Sequence, residues 1–199
     1  MLLLGMLFIV GYRATNQWAA ARGTAAWSLH GAWDGWIPFV PWTLWPYLSL
    51  NLIFPCTFFA FHGVHALRRH AARIAAVQLA SFGVFVLLPT VNVRPLPQPD
   101  GMTGVLYAQL RAFEQPFNMF PSLHAAVLVV TWRACLPALP GPAARLVWHG
   151  WCLLILVSTV LTWQHDLLDV VGGVALGLAA LAVWPVHARR QGALRRDEA

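Results

Sequence analysis

Charge is sparse and falls between apolar runs or toward their ends. Of 199 residues, 59% are hydrophobic and only 10% charged, and the mean hydropathy is +0.62. A water-soluble domain carries about a quarter of its residues as charged side chains. A chain this apolar needs a bilayer as its solvent. In hydrocarbon, backbone N–H and C=O groups must be paired within the protein, so apolar runs of this length cross as helices. The expected fold is all-α: a polytopic membrane helix bundle of about six transmembrane helices. A single membrane-embedded domain over residues 1–188 is expected, followed by a charged cytoplasmic tail over 189–199. Eleven tryptophans suit two interfacial belts.

Six runs read as spans: Met1 to about Ala21, Trp42 to His62, Ala71 to Leu88, Ser122 to Leu136, Leu146 to Trp163, and Asp166 to Val186. The purely apolar part of the first ends at Tyr12, short of the ~20 residues needed to cross. Ala19-Ala20-Ala21 would suit a signal peptidase, but the positively charged start of a signal peptide is missing. A frayed or shortened span is therefore expected. Trp27 to Pro41, with Asp34 alone among aromatics, reads as an interfacial loop or a helix lying flat. Val91 to Pro121 is a long connection with a short helix expected over Thr103 to Phe113, and long loops are usually functional. Leu136 to Pro142 reads as a tight turn, because Pro137, Pro140, Gly141 and Pro142 break a helix. Gly172, Gly173 and Gly177 give the sixth span a small-residue face for close packing.

The net charge is +6 and every basic residue is arginine, which suggests a GC-rich bacterial genome. With six spans both chain ends share one side. That side collects Arg68, Arg69, Arg73, Arg133, Arg145, Arg189, Arg190, Arg195 and Arg196, against Arg13, Arg22, Arg94 and Arg111 on the other. The positive-inside rule makes the first side cytoplasmic. The charge then reads as topology and lipid contact, with no nucleic-acid partner. An inner (plasma) membrane location is expected, with the third and fifth loops extracytoplasmic.

Those two loops carry the ionisable groups that invite a chemical reading. His124 follows Phe120-Pro121-Ser122-Leu123 at the start of the fourth span. His165 and Asp169 open the sixth, one helical turn apart, so the carboxylate can face and orient the imidazole. Ionisable groups at membrane depth are costly and mark function by default. Two imidazoles, one held by a carboxylate, suit phosphoryl transfer through a phosphohistidine. His165 is the expected nucleophile, Asp169 its partner, and His124 the general acid and base. Arg94 is the expected phosphate clamp, because its planar fork matches phosphate oxygens. Ser122 and the free amides beginning the fourth span add neutral donors. A two-histidine, one-carboxylate metal triad of His124, His165 and Asp169 is the rival. It lacks supporting acids, so no metal and no cofactor is expected. His30, His149 and His187 read as interfacial residues, and the His62, His65 and His70 group as structural. Cys56, Cys135 and Cys152, an odd number without ligand spacing, read as buried hydrophobes.

Phe120-Pro-Ser-Leu-His124 with Ala125-Ala126 resembles the middle motif of the type 2 phosphatidic acid phosphatase superfamily. Ser158, His165 and Asp169 fall at the spacing of its third motif, and Arg94-Pro95 resembles the end of its first. Asp34 to Phe39 is similar to a loop of bacterial members. Leu123 and the Asp169-Val-Val-Gly-Gly173 run look closest to the inositol phosphorylceramide synthase-like branch. The resemblance implies a lipid-phosphate phosphatase using His165, His124 and Asp169, with Arg94, Ser122 and Ser158 binding a membrane lipid phosphate. Two basic residues of the pattern are absent: Thr159 and Leu87 stand where arginine and lysine are expected. Arg111 is the candidate substitute. Transfer of a phospho-headgroup to an alcohol, and a non-catalytic lipid-binding protein with a depleted site, are the alternatives. Oligomeric state is not legible.

Overall fold

The computed structural model describes residues 2–22, 26–61, 63–95, 97–113 and 115–186. Among these the chain forms seven α-helices: α1 (Leu2–Ala21), α2 (Leu44–Cys56), α3 (Val64–Leu87), α4 (Gly101–Phe113), α5 (Leu123–Cys135), α6 (Pro142–Leu161) and α7 (Leu167–Val183). There is no sheet among the described residues, only isolated bridges at Trp27–Thr90 and Val91–Phe117. The all-α expectation therefore holds. The proposed tail, 189–199, lies outside the described residues, as do His62, Glu114 and His187.

Helix α4 lies in the long connection between α3 and α5. Among the described residues two helices, α3 with 24 residues and α6 with 20, are long and apolar enough to cross a bilayer. Helices α5 and α7 are apolar but shorter, and α2 has 13 residues, about 20 Å against a ~30 Å hydrocarbon core. The start of α3 lies seven residues before the expected Ala71. Hydropathy drops at Arg68, Arg69 and Arg73, but backbone hydrogen bonding does not stop there. Pro142 begins α6 instead of breaking it, because proline lacks only an N–H that the first helical turn leaves unpaired anyway. A short 3-10 turn, Leu136–Ala138, continues α5 into the connection.

The expected small-residue face of α7 is what brings the two histidine segments together. A methyl group at Gly173 would lie 2.9 Å from the Ala125 Cβ, and one at Gly177 2.7 Å from the Val129 Cβ. Only hydrogen at those positions lets α5 and α7 approach this closely. The start of α5 then meets the start of α7, where the Ser122 N–H donates to the Asp169 carbonyl at 2.9 Å. Beneath this contact a core of Ile74, Val77, Phe85, Leu123, Ala126 and Val130 ties both helices to α3. Helix α1 is pinned alongside through Asn16, whose side chain both donates to the Gln115 carbonyl and accepts from its N–H.

Candidate active site

His124 occupies the second position of α5, and its ring stacks on Tyr47 of α2 with centroids 4.0 Å apart and planes 6° from parallel. That stack fixes the imidazole plane. Its Nε2 is buried without a hydrogen-bond partner. His165 precedes α7, is buried, and is anchored through its N–H to the Thr159 carbonyl at 3.0 Å. The intervening Trp163 adopts a left-handed backbone, φ 57°, and Asn92 holds its carbonyl at 2.7 Å.

The one-turn spacing does place Asp169 beside His165, with His165 Nδ1 3.7 Å from Asp169 Oδ2. That exceeds hydrogen-bond distance. The cause is local: Asp169 Oδ2 accepts from the Asp166 N–H at 2.9 Å, one half of a reciprocal capping box at the start of α7. His165 Nδ1 and Asp169 Oδ1 are both buried and unpartnered. The pair is adjacent but not closed.

Arg94 is buried and lies between two carboxylates. Its Nε donates to Asp166 Oδ1 at 2.8 Å, and its Nη2 is 3.6 Å from Asp34 Oδ1. The guanidinium also faces the Trp163 ring at 5.4 Å. Asp34 accepts from the Leu167 N–H at 2.9 Å and the Gly31 N–H at 2.8 Å. His30 Nδ1 lies 3.0 Å from Asp166 Oδ1. Asp34 and Asp166 therefore staple residues 30–37, Arg94 and the start of α7 together. The expectation of a merely interfacial His30 did not include this contact. Asp166 carried one available signal, its position between His165 and the first turn of a helix. His30 and Asp34 carried only the aromatic loop around them.

Arg94, Arg111, Gln164 and His165 line one cavity of about 210 Å3. The Arg111 side chain donates to the Pro97 carbonyl and lies 4.9 Å over the Tyr107 ring. Arg94 Nη2 and Arg111 Nε are buried without hydrogen-bond partners, donors whose desolvation an anion in this cavity would offset. A second, apolar cavity of about 550 Å3 runs between α1, α2 and α4, lined by Phe8, Leu48, Phe54, Leu110, His124 and His165. His165, Tyr47 and Tyr12 line both cavities.

The remaining expected residues lie elsewhere. Ser122 is buried and its Oγ accepts from the Ala125 N–H at 3.2 Å, capping α5. Ser158 is buried within α6 and donates to the Ile155 carbonyl at 2.6 Å. Neither lines the cavity that holds Arg94. Thr159 is wholly buried in α6, and Leu87 is 86% exposed. Three metal-ligand-type atoms, from His30, Asp34 and Asp166, lie within 4.8 Å of one another. The Arg94 guanidinium already sits against both carboxylates, so its fixed positive charge would oppose a dication there.

A family model, the PAP2 superfamily, matches residues 47–183, more than half of the 199 residues. The match takes in His124, Arg94, Arg111, His165, Asp166 and Asp169 and leaves out α1, His30 and Asp34. No curated protein and no solved structure gives a match.

Proposed function

The chain belongs to the PAP2 superfamily, and from that premise we propose that it is a lipid-phosphate phosphatase working through a phosphohistidine. The superfamily supports phosphatase or phosphotransferase chemistry, and the two spanning-length helices support a membrane protein. The observation that carries the finer reading is the position of His165. It lies on the shared wall of a cavity with two arginines and an apolar cavity of chain-holding size. A phosphate ester on an apolar tail presents those two surfaces to one reacting atom.

In this mechanism His165 Nε2 attacks phosphorus while the P–O bond to the lipid alcohol breaks. His124, whose Nε2 is free to exchange a proton, protonates the departing alkoxide. Asp169 closes the 3.7 Å gap to take the Nδ1 proton's hydrogen bond as positive charge grows on the ring. Water then attacks the phosphohistidine, gives its proton to His124, and releases phosphate. Arg94 and Arg111 stabilise the equatorial oxygens. No step calls on a metal or cofactor.

The reading also assigns one membrane-embedded domain over 1–188 with six spans. The arginine asymmetry sets the His165 end outside the cytoplasm, in a bacterial inner membrane. A cysteine at exposed Gln98, in a background lacking the native cysteines, should react with an impermeant reagent in intact cells. Labelling only after lysis would reverse the orientation. An alcohol in place of water would make the same intermediate serve headgroup transfer, as Leu123 and Thr159 of the synthase-like pattern favour. Purified protein offered a panel of lipid phosphates, with and without alcohol acceptors, should release inorganic phosphate. Product appearing only with an acceptor would make it a transferase. Turnover of none of them would leave a non-catalytic protein.

A further inference from the structure

The apolar cavity between α1, α2 and α4 holds two buried polar side chains that the chemistry above does not use. Asn118 and Gln78 line it together with His124 and His165, and each is only 2% exposed. Asn118 Nδ2 donates to the Tyr12 carbonyl at 3.1 Å and to Thr15 Oγ1 at 2.9 Å. Thr15 Oγ1 gives its own proton to the Gly11 carbonyl at 2.9 Å, so two acceptors fix which end of the amide is nitrogen. Asn118 Oδ1 is left buried without a hydrogen-bond partner. Gln78 repeats the pattern: its Nε2 donates to the Leu4 carbonyl at 3.4 Å and its Oε1 has no partner.

A buried acceptor without a donor costs free energy that a donor on a ligand recovers. Ligand pockets are mostly apolar, and their few placed polar groups orient the ligand and select it. A plain hydrocarbon chain offers these acceptors no proton. The two acceptors also lie at different depths. Their α1 partners, Leu4 and Tyr12, are eight residues apart on one helix, about 12 Å along its axis. Asn118 is the one that leads directly into the Phe120–His124 segment. The chain between them is held where the Met119 and Phe120 N–H groups donate to Thr90 Oγ1 at 3.0 and 2.9 Å. Asn118 itself has a left-handed backbone, φ 63°, which asparagine tolerates better than most residues. Both partners of its Nδ2 lie on α1, outside the residues that the family match covers.

We infer, resting on the lipid-phosphate reading of His165, that Asn118 Oδ1 accepts a hydrogen bond from a hydroxyl beside the phosphate. Asn118 is then a specificity residue for hydroxylated lipid phosphates. The test gives the full chain in detergent 1-oleoyl lysophosphatidic acid and its 2-deoxy analogue, which lacks only that hydroxyl. Phosphate release yields kcat/KM for each lipid, and the unfolding midpoint against lipid concentration reports binding without turnover. Wild type should favour the hydroxylated lipid by about tenfold or more in kcat/KM, because a buried acceptor discriminates against a ligand lacking the donor. Asn118→Gly, which suits the left-handed backbone, should bring the ratio to within about twofold of one by losing activity on the hydroxylated lipid. Gln78→Leu, at the other depth, should leave the ratio unchanged. Should Asn118→Gly not fold, Asn118→Asp keeps an acceptor and should keep the preference. Equal use of the two lipids by wild type overturns the inference. So does a preference that survives Asn118→Gly, or one that disappears in Gln78→Leu or Asn118→Asp. Turnover of neither lipid overturns the phosphatase reading instead, and the midpoints then decide the Asn118 site. Stabilisation by the hydroxylated lipid at about tenfold lower concentration, abolished by Asn118→Gly, supports it, and equal concentrations overturn it.

Discussion

Where α5 and α7 begin, Arg94 lies against Asp166 and Asp34; where they end, Arg73 and Arg133 meet backbone carbonyls. Both ends bury arginine, and the two ends treat its charge differently. The paired guanidinium of Arg94 is held in one orientation by two carboxylates and a ring face, but much of its charge is already balanced. Among the described residues no carboxylate pairs with Arg73. The difference shows that the histidine end is built for placement more than for bulk attraction. With Asp34, Asp166 and Asp169 set against Arg94 and Arg111, a phosphate bound as proposed would depend on a few directed donors.

The largest test of that contrast is His165→Ala. It should lower phosphate release by at least about 10^4-fold, the scale on which losing a nucleophile acts. Near-normal turnover would remove the chemistry from this end altogether. Arg94→Ala should cost about 100-fold in kcat/KM, the effect of one directed donor in a dry site. Because it also strips two buried carboxylates of their arginine partner, Arg94→Lys is the cleaner comparison, and it should recover only part of the rate. Arg111→Ala should cost about tenfold. A loss of threefold or less with Arg94→Ala, about 0.7 kcal/mol, would reduce Arg94 to a structural tie.

Asp166→Asn weakens the staple without touching the phosphate path. A fall of about tenfold in kcat/KM is expected, with the fold intact by circular dichroism. An unchanged rate would mean that Arg94 orients itself. Two interventions should do little. Chelation should leave the rate unaltered, whereas loss restored by a divalent cation would bring the His30, Asp34 and Asp166 group into the chemistry. Arg145→Gln, exposed on α6 at the arginine-rich end, should stay within about twofold. A larger loss would couple the two ends.

The helices were legible where hydropathy and hydrogen bonding agree, as over Ser122 to Leu136. They were misjudged where the two part. Helix α3 runs through Arg68, Arg69 and Arg73, and Pro142 starts a helix because a first turn does not need its N–H. His124, His165 and Asp169 stand out in the sequence because their partners lie within a turn or in a recognisable string. Arg94 stands out as well, but not what holds it. Asp166 lies 72 residues away from Arg94, and His30 lies 136 from Asp166, so only the folded chain puts them in contact. Ser158 and Ser122 sat at motif spacing, yet their hydroxyls are taken by the nearest backbone groups, the usual competition at helix starts and interiors.

The central claim is that His165 becomes covalently phosphorylated. A labelled lipid phosphate mixed with enzyme and quenched in alkali within the first turnover tests it directly. The expected result is an acid-labile, alkali-stable phosphate on the peptide containing His165, absent from His165→Ala protein. Turnover without any such phosphoenzyme, or label on His124 instead, would contradict it.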